Sequence, residues 1–166
     1  MSSITNDFLP AISQNTEKID RFIKRTSHPI LFRLFLLKSL PMALIAGLSV
    51  RSLSTEQAQI STPYKWLTTN PFKSTYFAVL SMAAEMSTGI LGLLAIEASE
   101  QSIAILIVGM EGSFSKKAAD LSTFTCKEGH KFFDAVQHTI NTGEAVQVAA
   151  LTIGHNKVGD EIARFT

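Results

Sequence analysis

The sequence predicts an α+β fold in which one long apolar helix is surrounded by an antiparallel sheet. Good helix formers fill residues 72–96, and a helix of that length would measure about 37 Å. A continuous β-branched and apolar run at residues 102–108 follows it and is typical of a buried central strand. The chain has 166 residues, of which 46% are hydrophobic, so it can bury a single core without metals or disulfides.

The first forty residues predict a helical extension. Apolar residues recur there at the three-to-four spacing of a helix, at Phe8, Ile12, Ile19, Phe22 and Ile23. Pro29 interrupts the pattern, and a strongly apolar second helix is expected from Ile30 to Leu40, before Pro41. We expect this helix to pack on the sheet and to cap the apolar end of a ligand cleft. The chain therefore divides into an extension, residues 1–40, and a core domain, residues 41–166.

Short strand-like segments lie on both sides of the long helix. Residues 42–53 and 59–64 predict a first pair of strands, and residues 121–127 and 145–153 predict two more. A last strand is expected to end at Phe165, and a short helix is expected at residues 129–141. The order is a helical extension, a strand pair, the long helix and several antiparallel strands.

One face of the long helix carries small and polar residues. The spacings of seven, four, three and four place Ser74, Ser81, Glu85, Thr88 and Gly92 along a single face. One interpretation is the solvent-exposed stripe of an amphipathic helix. However, such stripes usually consist of Lys, Arg, Glu and Gln, whereas here small residues surround one carboxylate. The pattern therefore favours a narrow cleft that another group enters.

Composition argues against several classes of function. Fifteen basic residues balance fourteen acidic ones without a basic run, so nucleic acid is not an expected partner. The four histidines lack metal-ligand spacing, and we expect no metal site. A single cysteine, Cys126, cannot form an internal disulfide, and the N-terminus lacks a secretory signal pattern. We therefore expect a cytoplasmic protein.

Residues 76–98 are long and apolar enough to span a bilayer. Glu85 lies near their middle, where a charge at the bilayer centre costs about 2.5–3.5 kcal/mol. A helix buried on all sides within a soluble fold has the same composition. We therefore expect no stable membrane insertion.

Two segments carry a resemblance to a known family. The run Asn70-Pro-Phe-Lys-Ser-Thr-Tyr76-Phe77-Ala78, continuing to Glu85 and Gly89, resembles the hotdog-fold acyl-CoA thioesterases of the phenylacetate-pathway type. These enzymes carry a pattern of the form N…GTxHGGxLxxLxD/E at the start of a central helix. Asn70 falls on the family's Asn, and Glu85 falls on its helix carboxylate. Residues 114–121, Phe-Ser-Lys-Lys-Ala-Ala-Asp-Leu, are similar to the family's hairpin between consecutive strands.

The chain departs from the family pattern at one important place. Where the family has His-Gly-Gly, this chain has Tyr76-Phe77-Ala78. The amide of Phe77 still supplies an N–H at a helix N-terminus, but the side chain crowds the place where glycine lets substrate approach. The resemblance implies an uncharacterised branch of hotdog proteins with a helical N-terminal extension.

The resemblance implies a hotdog fold and hydrolysis of acyl-CoA or related thioesters. Glu85 would act as general base or nucleophile, and Asn70 would orient the water or the carbonyl. Amides near Tyr76 and Phe77 would stabilise the oxyanion. The remaining implied contacts are Ser81 and Thr88 as hydrogen-bond partners of Glu85, and Gly112, Ser113 and Phe114 as lining from a partner subunit.

Coenzyme A would enter as part of the substrate, with no separate cofactor, and the assembly would be a homodimer or a dimer of dimers.

The resemblance leaves other functions open. The second interpretation is a catalytically silent hotdog domain that binds an acyl chain or acyl-CoA, or that serves in assembly. A dehydratase or hydratase is less favoured, because Tyr76 stands where those enzymes usually have a catalytic His.

Overall fold

A computed structural model describes Ile12 and residues 15–166 of the chain. The predictions for Phe8 and for the start of the extension lie outside these residues. The helices are α1 (Thr16–Ser27), α2 (Pro29–Ser39), α3 (Pro41–Ala46), α4 (Phe77–Ser99) and α5 (Gly129–Thr142), with a 3-10 turn at Trp66–Thr68. The strands are β1 (Ser49–Leu53), β2 (Ala58–Thr62), β3 (Gly112–Phe114), β4 (Ser122–Cys126), β5 (Thr152–His155) and β6 (Glu161–Phe165).

The six strands form one sheet in the order β1-β2-β4-β5-β6-β3, and every neighbouring pair is antiparallel. Helix α4 packs on this sheet through β2, β4 and β5, and α1 and α5 pack against α4. The predicted α+β architecture with one central helix is confirmed.

The core follows the length of α4. One cluster surrounds its first half, where Leu80 and Ala83 meet Ile60, Phe124 and Ile162 of the sheet. A second cluster surrounds its second half, where Leu91 and Leu94 are fully buried among residues of α1, α5 and β2. A helix that is apolar on most of its faces is stable when it is enclosed in this way. Helix α4 is long and apolar enough to cross a bilayer, but 61% of an apolar 18-residue stretch of this helix is buried within the fold.

The long helix begins later than the sequence predicted. It runs from Phe77 to Ser99 rather than from residue 72 to residue 96. The carboxamide oxygen of Asn70 accepts hydrogen bonds from the amides of Phe72 and Ser74. Lys73 then adopts the left-handed conformation, with φ at 55°. These features hold residues 70–75 in a turn, since Asn side chains compete with helical hydrogen bonds for backbone amides.

The prediction of strand at residues 42–53 was wrong in its first half. Residues 41–46 form the helix α3, because Pro41 at the first helical position is favourable there. Gly47 ends α3 in the left-handed conformation, with φ at 82°, and the strand β1 then begins at Ser49.

Two predicted strands are shorter than expected. Residues 102–108 form no ladder, and the ladder in that region covers only Gly112–Phe114. Likewise the segment 145–153 is paired only from Thr152 onward. Both β3 and β5 flank β6, which ends at Phe165, and Thr166 makes the last pair of bonds to Glu111. The residues before Glu111 in the first segment, and before Thr152 in the second, therefore have no β6 residue beside them with which to pair.

Helix α2 does not pack as predicted. Only Phe32 and Leu36 of its eleven residues are buried, and Ile30, Leu34 and Leu37 are exposed. The expectation that residues 30–40 cap a ligand cleft by packing on the sheet is therefore wrong for most of this helix. By contrast α1 buries Ile19 and Phe22, because the carboxamide of Asn15 donates to the Ala98 carbonyl at 3.0 Å and fixes α1 to the end of α4.

A glycine permits the close packing of α5 on the β1–β2 turn. The amide of Gly129 donates to the Glu56 carbonyl at 3.0 Å, and a Cβ at this position would lie 1.9 Å from the carbonyl oxygen of Thr55. Such an overlap is with backbone and cannot be relieved by a side-chain rotation.

We predict that Gly129→Ala lowers the free energy of unfolding by at least about 2 kcal/mol, since the backbone at the start of α5 must shift. Urea unfolding measures this change. His130→Ala, at the exposed neighbouring position, is the matched control and should change stability by less than about 0.5 kcal/mol. Equal stability of the two variants would contradict the tight contact.

Candidate functional site

A cleft of about 580 Å³ opens at the N-terminus of α4. It lies between the loop that precedes α4 and the segment that follows β3. Most of its lining is apolar or aromatic, which suits an acyl chain better than a charged ligand. The lining residues are Thr69, Asn70, Pro71, Phe72, Ser74, Thr75, Tyr76, Phe77, Leu80, Phe114, Lys116 and Ala118.

Hydrogen bonds join the two segments that carried the family resemblance. The amide of Thr75 donates to the Ala118 carbonyl at 2.7 Å, and the hydroxyl of Ser74 bonds both the carbonyl and the amide of Ala118 at 3.2 Å. The amide of Tyr76 donates to the Thr68 carbonyl at 2.7 Å. The loop before α4 is therefore held on both sides, and the walls of the cleft are fixed by backbone contacts.

The backbone N–H groups at the start of α4 form a favourable site for negative charge. Tyr76 is the N-cap and contributes no side-chain hydrogen bond to the helix. Within the described residues, the amides of Phe77 and Ala78 have no hydrogen-bond acceptor. Free amides in the first turn of a 23-residue helix, together with its dipole, stabilise an anion or a developing oxyanion.

Thr75 adds a hydroxyl donor beside these amides. Its side chain lines the cleft, is only 3% exposed, and its hydroxyl has no partner among the described residues. A buried hydroxyl without a partner costs about 1–3 kcal/mol, so the fold carries an energetic penalty at the edge of the cleft. No spacing signal in the sequence distinguishes Thr75, because the burial of its hydroxyl depends on how the loop folds.

Glu85 lies on α4 but outside this cleft. It is eight positions after Phe77, a distance of about 12 Å along the helix axis, and it is absent from the lining of the cleft. It is half-buried, and burial raises the pKa of its carboxyl above the ordinary value. A Cβ on Gly89 would lie 3.0 Å from its Oε1, so glycine at position 89 leaves room for the carboxylate.

The predicted hydrogen bonds to the Glu85 carboxylate are wrong. The hydroxyl of Ser81 donates to the Phe77 carbonyl at 2.9 Å, and the hydroxyl of Thr88 donates to the backbone carbonyl of Glu85 at 2.9 Å. Hydroxyls within a helix commonly bond the carbonyl one turn earlier, which competes with any longer-range partner. Burial alone is therefore the cause of the raised pKa of Glu85.

Three residues were predicted to line the cleft of a partner subunit, and within their own chain they occupy different positions. Phe114 lines the cleft of its own chain, and its ring packs edge-on against Phe165 with centroids 5.5 Å apart. Gly112 lies under the Phe165 ring, where a Cβ would come within 2.4 Å of a ring carbon. Ser113 is exposed on β3, between them, and does not line the cleft.

Other chemistry-bearing groups lie apart from the cleft. Cys126 is fully buried, and burial raises the pKa of its thiol, which disfavours the reactive thiolate. Lys116 lies at the edge of the cleft, and its ammonium is 2.6 Å from the carboxylate of Asp160. Among the residues that the structure describes, no group of three His, Cys, Asp or Glu side chains could hold a metal ion.

Comparisons with known proteins at the level of sequence give no relative: no family model and no curated protein matches the chain. Comparison of structures gives many matches.

The structural matches include proteins named as thioesterases. A candidate thioesterase from Shewanella oneidensis has a TM-score of 0.71 and 11% identity, covering 88% of this chain and 94% of that protein. A probable thioesterase from Pseudomonas aeruginosa has a TM-score of 0.65 and 16% identity, with coverage of 85% and 93%. A mutant of the phenylacetic acid degradation protein from Thermus thermophilus has a TM-score of 0.51 and 12% identity, with coverage of 75% and 93%. The chain thus has the hotdog fold, with an N-terminal helical extension.

Proposed function

We propose that this protein hydrolyses acyl-CoA or related thioesters in the cleft at the N-terminus of α4. The observation that carries the proposal is the buried hydroxyl of Thr75, which has no partner among the described residues, next to the amides of Phe77 and Ala78, which have none there either. These donors belong to residues at the edge of an apolar cleft, and donors at such an edge suit the carbonyl of an acyl group. The hotdog fold, shared with proteins named as thioesterases, supports the same assignment.

The reaction follows from charge development at the thioester carbonyl. The oxygen of a water molecule attacks the carbonyl carbon while Glu85 accepts a proton from that water. Negative charge moves to the carbonyl oxygen, where the amides and the Thr75 hydroxyl stabilise it. The carbon–sulfur bond then breaks, and the leaving thiolate takes a proton to give the free thiol and a carboxylic acid. Direct attack by the Glu85 carboxylate, followed by hydrolysis of the anhydride, is the alternative route.

The position of Glu85 requires a second chain in this mechanism. Glu85 does not line the cleft of its own chain. We propose a homodimer, alone or paired into a dimer of dimers, in which Glu85 of one chain acts at the cleft of its partner. The apolar segment 103–110 supports such pairing, since Leu106 and Val108 are exposed and no hydrogen bond is formed by its backbone in the described structure. An apolar segment whose backbone groups are unpaired favours association with another copy.

A second function, binding of an acyl ligand without hydrolysis, is favoured by one observation. The rings of Tyr76 and Phe77 pack edge to face with centroids 4.9 Å apart at the mouth of the cleft. The resemblance places a glycine at the position of Phe77, so the Phe77 ring crowds a place that the family keeps open. Calorimetric binding of acyl-CoA without release of free thiol would select this function over hydrolysis.

The first prediction for this site concerns Thr75. Thr75→Val keeps the shape of the side chain and removes the hydroxyl donor, so kcat for thioester hydrolysis should fall by about a hundredfold. The free energy of unfolding should stay equal or rise, because a buried unpaired hydroxyl is removed. Thr75→Ser retains the hydroxyl and is the control that should keep most activity. Hydrolysis is followed by thiol release; equal rates for Val and Ser variants would exclude Thr75 as a donor.

The second prediction concerns Glu85. Glu85→Gln removes the base, and thioester hydrolysis should fall by about two orders of magnitude or more. Since burial raises the pKa of this carboxyl, the folded protein binds more protons than the unfolded chain above the ordinary value of 4.5. Wild-type stability therefore falls as pH rises through this window.

Glu85→Gln lacks this titration. The free energy of unfolding of the variant should therefore equal that of the wild type at acid pH and should exceed it increasingly toward neutral pH. Urea unfolding across this pH range measures it. An unchanged rate of hydrolysis would show that Glu85 is not the base, and a pH-independent stability difference would contradict its burial.

The third prediction tests the shared site. A mixture of the Thr75→Val and Glu85→Gln chains, refolded together, should recover about a quarter of wild-type activity, because half of the dimers are mixed and each contains one intact site. Neither parent alone should reach this rate. Activity no higher than that of the parents would mean that both residues act within one chain.

A further inference from the structure

We propose that the face formed by α2, α3 and the 3-10 turn docks on an anionic lipid bilayer. We call this face the basic apolar patch. Its apolar members are Ile30, Leu34, Leu37, Met42, Ile45, Trp66 and Leu67, and its basic members are Arg33, Lys38 and Lys65. This inference does not depend on the proposed thioester chemistry.

The exposed side of α2 is the first observation. Phe32 and Leu36 are buried against the core, and the opposite side carries Ile30, Leu34 and Leu37, each more than half exposed. A soluble helix normally presents charged or polar residues on that side. An apolar outer side therefore indicates that something other than water contacts it.

The patch continues from α2 across α3 to the 3-10 turn. Met42 and Ile45 of α3 are half or more exposed. The ammonium of Lys65 donates to the Ile45 carbonyl at 2.9 Å, which places the turn Trp66–Thr68 beside α3. Trp66 is 85% exposed and Leu67 is 57% exposed. Tryptophan beside aliphatic residues and lysine is typical of the membrane–water interface.

Charge distinguishes between possible occupants of this face. Residues 21–84 contain eight basic residues and a single acidic one, Glu56, whereas the rest of the chain contains seven basic and thirteen acidic residues. Arg33 and Lys38 form no ion pair with any described residue.

A second copy is therefore a poor occupant of the patch. In a symmetric dimer the patch would meet itself and bring like charges together without acidic partners. An anionic bilayer satisfies both features, because the apolar side chains enter the boundary of headgroups and acyl chains while the basic residues meet phosphates. The patch also adjoins the loop of the cleft, so docking would hold the cleft near acyl chains that partition into the membrane.

Trp66 allows a direct test because it is the chain's single tryptophan. The full chain is mixed with vesicles of phosphatidylcholine alone or of phosphatidylcholine with phosphatidylglycerol. We expect co-sedimentation with the anionic vesicles and a shift of Trp66 emission to shorter wavelength, both weakened by salt. No binding to anionic vesicles at low salt would overturn the proposal, as would equal binding to both kinds of vesicle.

Paired variants test the two features of the patch separately. Neutralising Arg33 and Lys38 together with Gln should weaken binding about twenty-fivefold, since each basic residue near an anionic surface contributes about fivefold. Leu34→Asn with Leu37→Asn should weaken it by about tenfold or more. The matched control is Lys157→Gln with Val158→Asn, which changes a lysine and an exposed valine on the β5–β6 turn and should bind as wild type.

Oligomeric state gives the last discrimination. Light scattering of the Leu34 and Leu37 double variant should match that of the wild-type protein. A change in its subunit number, or equal loss of vesicle binding in the control variant, would assign the patch to a subunit interface or to a general effect of charge, and would overturn the proposal.

Discussion

The enclosure of α4 is the constraint on which the rest of the structure depends. Twelve of its 23 residues are buried, and they face the sheet on one side and α1 and α5 on the other. Several of these residues are small, among them Ala83, Ala84 and Ala95, which lets neighbouring elements approach the helix closely. Burial of this apolar helix is the main favourable term, since each fully buried large side chain contributes about 1.5–3 kcal/mol. Polar groups on α4 are therefore costly unless they are paired, and the hydroxyls of Ser87 and Thr152, 2.7 Å apart, show how one is accommodated.

The same constraint separates the two parts of the candidate site. The first turn of α4 must leave its amides free, because no residue precedes them within the helix, and this creates the place for an oxyanion. In the proposed mechanism the base is Glu85, which lies further along the helix. Glu85 is half-buried and raised in pKa by burial, yet it lies about 12 Å from Phe77 along the axis. The proposed dimer would bring the distant carboxylate of one chain to the donors of the other, which have no partners among the described residues.

The sequence predicted the order of elements well, because periodicity and turn residues are local signals. The strands at residues 121–127 and up to Phe165 and the helix at 129–141 agree with the structure to within one or two residues. The failures have non-local causes. The start of α4 was missed because the Asn70 side chain captures two amides, and the strands at 102–108 and 145–153 were overestimated because β6 does not extend between them. In the site, Asn70, Phe77 and Phe114 do line one cleft. The predicted bonds to Glu85 failed for a local reason, since Ser81 and Thr88 bond carbonyls of their own helix. The burial of the Thr75 hydroxyl could not be foreseen, because it depends on tertiary contacts.

The net charge of the whole chain gives no sign of the basic apolar patch that the folded structure presents at its surface. A net charge of +1 argues against nucleic acid as a partner, but it averages a basic region and an acidic one. Once the chain folds, the basic region coincides with helices whose outer sides are apolar, and the two properties together restrict the possible occupants. Apolar exposure alone would suit a second copy, and positive charge alone would suit any polyanion. An anionic bilayer satisfies both because it offers phosphates above a hydrocarbon layer, at the depth that exposed leucines and a tryptophan reach.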